Sequence, residues 1–460
     1  MSMPWRAQET KKPKTEHLTL YDLNRYFDGP TIRNSDGKKE VRPIKGNHRI
    51  RMLPTLLWGI KGRSVIIEGD AGSGKSEIEK ATMVLLFEDE ALDDESRYCA
   101  LLDTATDQAF WTYNKIDQIN SCDRVYIPEI QNVENHFPML KKWMEGAIFK
   151  KDARVGNTSI PLKLPPRPIL SCLAINNDKI KKLPDEIIRR MIHLWAESGE
   201  KLNKSIHNMK ADIESLPECE YPQMPIEEVQ ALRTKLIIAM NEHRRVVNVY
   251  ANAIQEFIPA TFTVSNSYIG EFFNLIQAIA IFNAEQRYTT GEYIFASIVD
   301  NYLAILISGD LFPDMCLGIQ GLGREIIRQM TISETFGSLR MDDRNPNEAS
   351  GYYTITQIMD IQKYMGKQRD AVTTEELLDK YCRMGYLGKE KIKGTEYYVR
   401  ISDFEKNTDL DWKKIYNDGL DRMGIHWSEH YSKFQEIEHD EYVVPFGENA
   451  GETVHILEDD

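Results

Sequence analysis

Apolar residues recur along this chain with two different periods, and the changes of period divide it into parts. Ser64-Val65-Ile66-Ile67-Glu68 is a short β-branched run, the pattern of a strand buried on both faces of a parallel sheet. The stretch SEIEKATMVLLFEDE that follows has helical spacing. Apolar runs at Arg124–Glu129 and Pro168–Ile175 predict two further strands. Strands alternating with helices over residues 51–196 predict an α/β domain. Residues 1–50 are polar, with Lys11, Lys12, Lys14, Lys38 and Lys39, and read as an N-terminal arm with a small entry element. Residues 197–225 contain Pro217 and Pro222 and read as a connector. From Ile226 the period becomes helical. One long helix is expected over IEEVQALRTKLIIAMNEHRRVVNVYANAIQEF, then helices at Tyr268–Ala284 and Tyr293–Ile307. Residues 197–308 are thus expected to form an all-helical lid, and 309–352 a linker with one helix.

A second small unit is expected over residues 353–405. ITQIMDIQKYMGKQ is helical, and Thr373-Thr374-Glu375-Glu376 carries a capping signature for a second helix. Tyr386-Leu387, a Lys/Gly turn and Tyr397–Ile401 then read as a hairpin. Two helices followed by a two-stranded wing predict a winged-helix domain, with Lys389, Lys391 and Lys393 on its wing. Residues 406–460 read as an acidic tail.

Composition narrows the function. A chain of 460 residues is too long for one compact core, so several domains are expected. The hydrophobic share of 42% suits a globular protein. No apolar run reaches the roughly 18 residues of a membrane span, and the N-terminus lacks the apolar core of a secretory signal. A cytoplasmic protein without membrane partners is expected. Its cysteines are scattered, with no Cys-x-x-Cys pair, as in a reducing compartment. A net charge of −14 argues against a surface coated in basic residues for nucleic acid, though not against local basic elements. His426-Trp427-Ser428-Glu429-His430 matches the H-x-x-E-H spacing of some zinc peptidases, but the segment is short, follows Gly424, and reads better as a polar helix face.

The strongest chemical signal is Gly69-Asp70-Ala71-Gly72-Ser73-Gly74-Lys75-Ser76, which spells G-x-x-x-x-G-K-S between a strand and a helix. Glycines let backbone N–H groups curl around a phosphate, and the helix N-terminus favours negative charge. Lys75 is expected to neutralise the β- and γ-phosphates of ATP, and Ser76 to hold Mg²⁺. Hydrolysis needs a carboxylate that activates water, and Glu129 at the end of its strand is the candidate. An acidic residue usually precedes such a Glu. Pro128 stands there instead, which weakens outer support for Mg²⁺. Asn176, with Asn177 behind it, ends the next strand and can orient the attacking water. Arg189 and Arg190 follow Leu183–Ile188 at an expected helix end, where an arginine can reach a neighbouring subunit's γ-phosphate. Between the Glu129 and Asn176 strands, Ala147–Val155 and Ile160–Leu164 flank a turn at Gly156-Asn157 and predict a hairpin. It carries Lys150, Lys151, Arg154 and Lys163, with Arg167 just beyond.

With these elements in this order, the chain resembles the AAA+ ATPases. Among them it is most similar to the minichromosome-maintenance type of replicative helicase and to related mobile-element proteins. The likeness runs from about Leu53 (LPTLLWGIKGRSVIIEGDAGSGKS) to about Ser308, through Met144–Phe149, Pro184–Arg190 and Thr263–Asn266. It implies an α/β P-loop core with a lid, and a hexameric ring with ATP between subunits. It also implies that the hairpin grips DNA in a central pore. Three departures stand out: a short stretch before the ATPase, a short interval from Lys75 to Glu129, and Asn266 at the lid's usual arginine position. Two other readings stay open. One is a protein-remodelling ATPase of the MoxR type. The other is an ATP-dependent DNA-binding initiator or scaffold that does not translocate.

Overall fold

The computed structural model describes residues 18–28, 31–33, 39–41, 48–69, 72–87, 99–101, 113–155, 158–174, 187, 190–196, 200–215, 224–258, 265–309, 311–317, 323, 326–327, 329–330, 351–364, 370–383, 386–392, 394–400 and 410–457. At its centre is a five-stranded sheet in which every neighbouring pair is parallel. The order across the sheet is Cys99–Leu101, Arg124–Glu129, Ile169–Ala174, Val65–Gly69, Ile192–Trp195. The expected strands are therefore present, and the α/β expectation holds for the core. The strand Ile169–Ala174 lies between the strand that leads into the P-loop and the strand that ends in Glu129.

Side chains of a strand alternate between faces, and the P-loop strand shows the consequence. Val65 and Ile67 join one apolar core and Ile66 joins the other. The second core is closed by the helix Phe137–Met144 through Met139, Leu140 and Trp143. The first is covered by the P-loop helix Lys75–Phe87 and by a fully buried π-helix, Pro54–Ile60. The wider π turn is tied down by Arg124, whose Nε and Nη2 donate to the carbonyls of Trp58 (3.0 Å) and Gly59 (2.8 Å). Trp58 Nε1 in turn donates to the Pro168 carbonyl at 3.1 Å. Pairing of Arg124–Glu129 with its neighbour slips between Ile127 and Glu129. Pro128 sits at that slip, because proline has no N–H to give to a ladder.

The lid departs from expectation. The long helix expected from Ile226 ends at Met240, and Arg245–Val247 is a short strand paired in parallel with Tyr293–Phe295. The helix expected from Tyr293 starts at Ile298, where Ser297 caps it and Asp300 answers with a bond to Ser297 N (3.0 Å). The lid is therefore helices plus a strand pair, since β-branched Val246, Val247 and Ile294 favour the pleated partner. Its helix Ser265–Phe282 is bonded to the core by Arg63 Nε on Glu271 (2.8 Å) and Lys61 Nζ on Gln277 (2.7 Å).

Both chain ends also differ from expectation. Within the stretch read as an arm, Leu20–Tyr26 is a docked helix, with the Tyr26 hydroxyl on the Ala81 carbonyl at 3.1 Å. Within the stretch read as an acidic tail, Trp412–His426 and Tyr431–Ile437 are helices and Glu441–Val443 pairs with Thr453–His455. Ile415, Met423 and Phe434 belong to the main core. Gly419 allows the close approach: a Cβ there would stand 2.1 Å from the Tyr250 ring. Glu438 completes the attachment, accepting from Tyr250 Oη (3.0 Å) and from the Ile298 N–H (2.7 Å) at a helix start.

Two helices, Ile355–Tyr364 and Ala371–Arg383, and a three-stranded antiparallel sheet form a separate small core. Ile326, Ile327 and Met330, from the expected linker, pack into it. Its second helix is capped by Asp370, which accepts from Thr373 N at 2.9 Å, and not at Thr373 as expected. Among the described residues no helix is long and apolar enough to cross a membrane.

Burial pushes Glu438 up to about 7. A carboxyl raised in the folded state favours folding while protonated, so that contribution is present below pH 4.5 and lost as pH rises through about 7. Glu438→Gln keeps an acceptor without the charge, so its urea midpoint should gain on wild type between pH 5 and pH 8. Glu438→Ala leaves Tyr250 and Ile298 unsatisfied and should destabilise by about 1–3 kcal/mol. Equal midpoints for all three proteins at both pH values would contradict this attachment.

Candidate nucleotide site

The P-loop strand ends at Gly69, and the helix begins at Lys75. Asp70 and Ala71 lie outside the described residues. Gly72 and Gly74 have φ of +81° and +82° with open space where a Cβ would go. Their requirement is conformational, since an L side chain in this region costs about 1–2 kcal/mol. Gly69 is limited by space instead: a Cβ there would stand 2.8 Å from Ser73 Oγ. Lys75 is 7% exposed, and its Nζ donates to the Gly69 carbonyl at 2.8 Å and lies 3.5 Å from Ser73 Oγ. The ammonium thus ties the end of the strand to the start of the helix, at a helix N-terminus. Ser76 is exposed next to it.

Glu129 lies at the same edge of the sheet as the loop, one intervening strand away, with its Cα paired to Cys172. It is exposed, and Gln131 Nε2 (3.2 Å) and Asn132 Nδ2 (3.3 Å) donate to its Oε2. Asn176, Asn177 and Arg189 lie outside the described residues. Arg190 occupies a turn before the strand Ile192–Trp195, where its Nη2 donates to Glu145 at 2.5 Å.

Sequence reasoning missed Glu79. It is fully buried beneath the loop, one turn into the helix, with the Tyr126 hydroxyl donating to its Oε2 at 3.2 Å. Burial pushes it up to about 8, against weaker opposing pulls from Cys172, Tyr126 and Lys75. Burial also raises the Cys172 thiol, which interacts with both Glu79 and Ser76. One signal was present: Glu79 shares its helix stripe with Met83 and Leu86, which are core residues, and a charge on a buried stripe is uncommon.

The basic hairpin is present as expected, with Phe149–Val155 antiparallel to Thr158–Leu164 and Val155 opposite Thr158. Lys150 and Lys163 are both exposed and directly opposite one another. Like charges in such a pair weaken a sheet. Arg154 lies at an alternate position on the Lys150 strand, and Lys151 is opposite Leu162 on the other face. Asp152 shares the Lys150 face and dilutes its charge. Phe149 is half-buried with the Lys142 ammonium 5.7 Å from its ring. Arg167 donates to the Asn120 carbonyl at 3.1 Å, which anchors it to the helix Tyr113–Ser121.

The wing is less basic than expected. Lys389 is held by Glu375 (3.4 Å), Asp379 (3.2 Å) and Glu396 (3.1 Å), 5.2 Å from the Tyr398 ring centroid. Despite some desolvation, bonds to Tyr398, Glu396 and Asp379 raise its pKa. Lys391 is opposite Glu396, and Lys393 lies outside the described residues. Among the described wing residues the lysine charge is largely met by nearby carboxylates. Of the H-x-x-E-H residues, His426 ends a helix while His430 lies in the following turn with its Nδ1 2.9 Å from the Tyr288 hydroxyl. Among the described residues no cluster of three His, Cys, Asp or Glu could hold a metal.

The Lys150–Lys163 pair yields a stability test. Lys163→Glu places opposite charges across the hairpin and should raise stability by about 0.2–1 kcal/mol. The denaturant midpoint should rise while affinity for a polyanion such as heparin falls. A lower midpoint would show that the pair is not repulsive. No protein-family model matches this chain, and no curated protein does either.

Proposed function

We propose that the chain is an AAA+-type ATPase that couples ATP hydrolysis to translocation along, or unwinding of, DNA, as one subunit of a ring. The observation that carries this reading is the strand order. With strands about 4.8 Å apart, the strand that ends in Glu129 and the P-loop strand lie two spacings, about 10 Å, apart, with Glu129 level through Cys172 with Ile67, two residues before the loop. That gap has room for a γ-phosphate and a water between loop and carboxylate.

The residues present fit Mg²⁺ bound with ATP: an exposed Ser76 beside Lys75, and a buried carboxyl oxygen, Glu79 Oε1, without a hydrogen-bond partner. Ser76 would hold the ion, which neutralises β- and γ-phosphate charge when bound. The backbone N–H groups of the loop and Lys75 would hold and orient the phosphates. Glu129 would take a proton from the attacking water, with Gln131 and Asn132 holding its carboxylate in place. Asn176 would orient that water. Arg189 or Arg190 would act from the neighbouring subunit, Arg190 exchanging Glu145 for phosphate. The hairpin lysines would grip DNA phosphates, and the exposure of Lys150 and Lys163 beside a half-buried Phe149 favours this over an aromatic grip on polypeptide. The C-terminal unit of two helices and an antiparallel sheet supports a winged-helix reading.

Pro128 and the slipped pairing beside it favour one alternative, an ATP-dependent DNA-binding protein with negligible turnover. Substitutions separate the two. Lys75→Ala should abolish ATP binding. Glu129→Gln should bind ATP with near wild-type affinity but lower turnover by a factor on the order of 10²–10⁴, the usual contribution of a general base. Wild-type turnover in Glu129→Gln would remove Glu129 from the mechanism, and no turnover in wild type would select the alternative.

The DNA reading has its own test. Replacing Lys150, Lys151 and Arg154 with alanine should weaken DNA binding and leave basal ATPase intact. Each lost phosphate contact should reduce the slope of log K against log salt by about 0.7–0.9. Equal affinities and slopes in a DNA titration at two salt concentrations would move the reading to a polypeptide substrate.

A further inference from the structure

An arginine that acts in a neighbouring subunit needs a resting place when no phosphate is there. Arg190 occupies the turn before the strand Ile192–Trp195, and Ile192 is level with Val65 at the start of the P-loop strand. At 3.3 Å per residue, about 13 Å of strand separates this turn from Gly69. The arginine is therefore mounted at the end of the sheet away from its own Gly-rich loop. There its Nη2 donates to Glu145 Oε1 at 2.5 Å. Glu145 is the C-cap of the helix Phe137–Met144. Gly146, with φ of +72°, closes that helix: its N–H bonds the Trp143 carbonyl (2.9 Å), and the Ala147 N–H bonds the Lys142 carbonyl (2.8 Å). Gly146, Ala147 and Ile148 then lead to Phe149, the first residue of the basic hairpin. The Glu145 carboxylate is thus at the root of the element proposed to hold DNA.

One apolar core fixes both partners. Trp143 lies just before Glu145, Leu164 is opposite Phe149 at the hairpin base, and Ile187 and Met191 flank Arg190. All four are buried together. Packing therefore sets this pair, which is not a chance meeting of long surface side chains. Yet the side chains of Arg190 and Glu145 are 29% and 38% exposed, and an ion pair open to solvent is weak. Such a pair holds an arginine without trapping it. An arginine on a neighbour's γ-phosphate raises turnover by about 10³–10⁵, far more than this pair opposes.

We propose that Glu145 is a positioning residue that makes Arg190 answer to the hairpin, on the ring-ATPase reading above. Without DNA, Glu145 holds the guanidinium at the hairpin root. A hairpin held on DNA shifts that root and frees the guanidinium for the γ-phosphate of a neighbouring subunit. Coupling between binding sites is reciprocal, so ATP that engages Arg190 frees the root and changes the affinity of the hairpin for DNA.

The test is phosphate release by full-length Glu145→Gln and wild type, each with Mg²⁺ and ATP, alone and with oligo-dT or a mixed-sequence duplex. The substitution keeps the size of the side chain and removes its charge. Release without DNA should rise about two- to fivefold, the population shift expected when a solvent-open ion pair is lost. Release with DNA should stay within about twofold of wild type, so the stimulation by DNA should fall by the same two- to fivefold factor. Damage to the fold does not raise basal turnover, which separates release of Arg190 from a structural effect. An unchanged stimulation ratio in Glu145→Gln would overturn the proposal, as would both rates falling in proportion. A wild type that hydrolyses no ATP, or ignores DNA, would sink the ring-ATPase reading and this proposal together. DNA-stimulated wild type with an unaffected Glu145→Gln sinks this proposal alone.

Discussion

The strand Ile169–Ala174 is the constraint on which the site depends. By lying between the P-loop strand and the Glu129 strand, it sets the distance between the Gly-rich loop and the carboxylate. Its apolar residues are buried, Ile169 and Leu170 on opposite faces, so it cannot leave the sheet without opening both cores. A parallel sheet needs cover on both faces. One face is covered by the helix that starts in the P-loop, so the candidate site and the fold share one element. Cys172, from this same central strand, is buried and pairs with Ile67 of the P-loop strand on one side and Glu129 on the other. A shift of the strand would therefore be felt on both neighbouring strands at once.

A second constraint ties the lid to the core. The π-helix Pro54–Ile60 is bonded by Arg124, and Arg124 begins the strand that ends in Glu129. A few residues on, Lys61 and Arg63 bond to the lid helix Ser265–Phe282. Side-chain hydrogen bonds therefore run from the lid to the base of the acidic strand. The C-terminal stretch extends the lid's support. Glu438 caps the lid helix that starts at Ile298, and Arg287 and Asp300 form a fully buried, doubly bonded pair next to it. Phe446 stacks against His48, at a centroid distance of 6.0 Å, which brings this stretch back to the region just before the core.

Much of the core was legible because its signals are local. Val65–Ile67 declares a buried strand by β-branching, and the glycines of the loop declare positive φ by their spacing. The hairpin was legible from alternating residues around Gly156-Asn157. The C-terminal helices were hidden by composition: acidic residues dominate the count, while Ile415, Met423 and Phe434, which anchor the segment, are sparse. The strands Arg245–Val247 and Tyr293–Phe295 were hidden for another reason. Each is three residues long and is stabilised by a partner about 50 residues away, so neighbouring helical periodicity overwhelms it. Glu79 was hidden because its meaning depends on Tyr126 and Cys172, which are adjacent only once the strand order is known. The engagement of Lys389 by three carboxylates was equally invisible, since charge counts do not reveal pairing.

The central claim is that a P-loop and Glu129, held two strand spacings apart, hydrolyse ATP in response to DNA. Phosphate release by the wild-type protein, followed with Mg²⁺ and ATP in the presence and absence of DNA, tests it most directly. Steady turnover that rises when DNA is added is the predicted result. ATP that binds but is not hydrolysed, with or without DNA, would contradict the account.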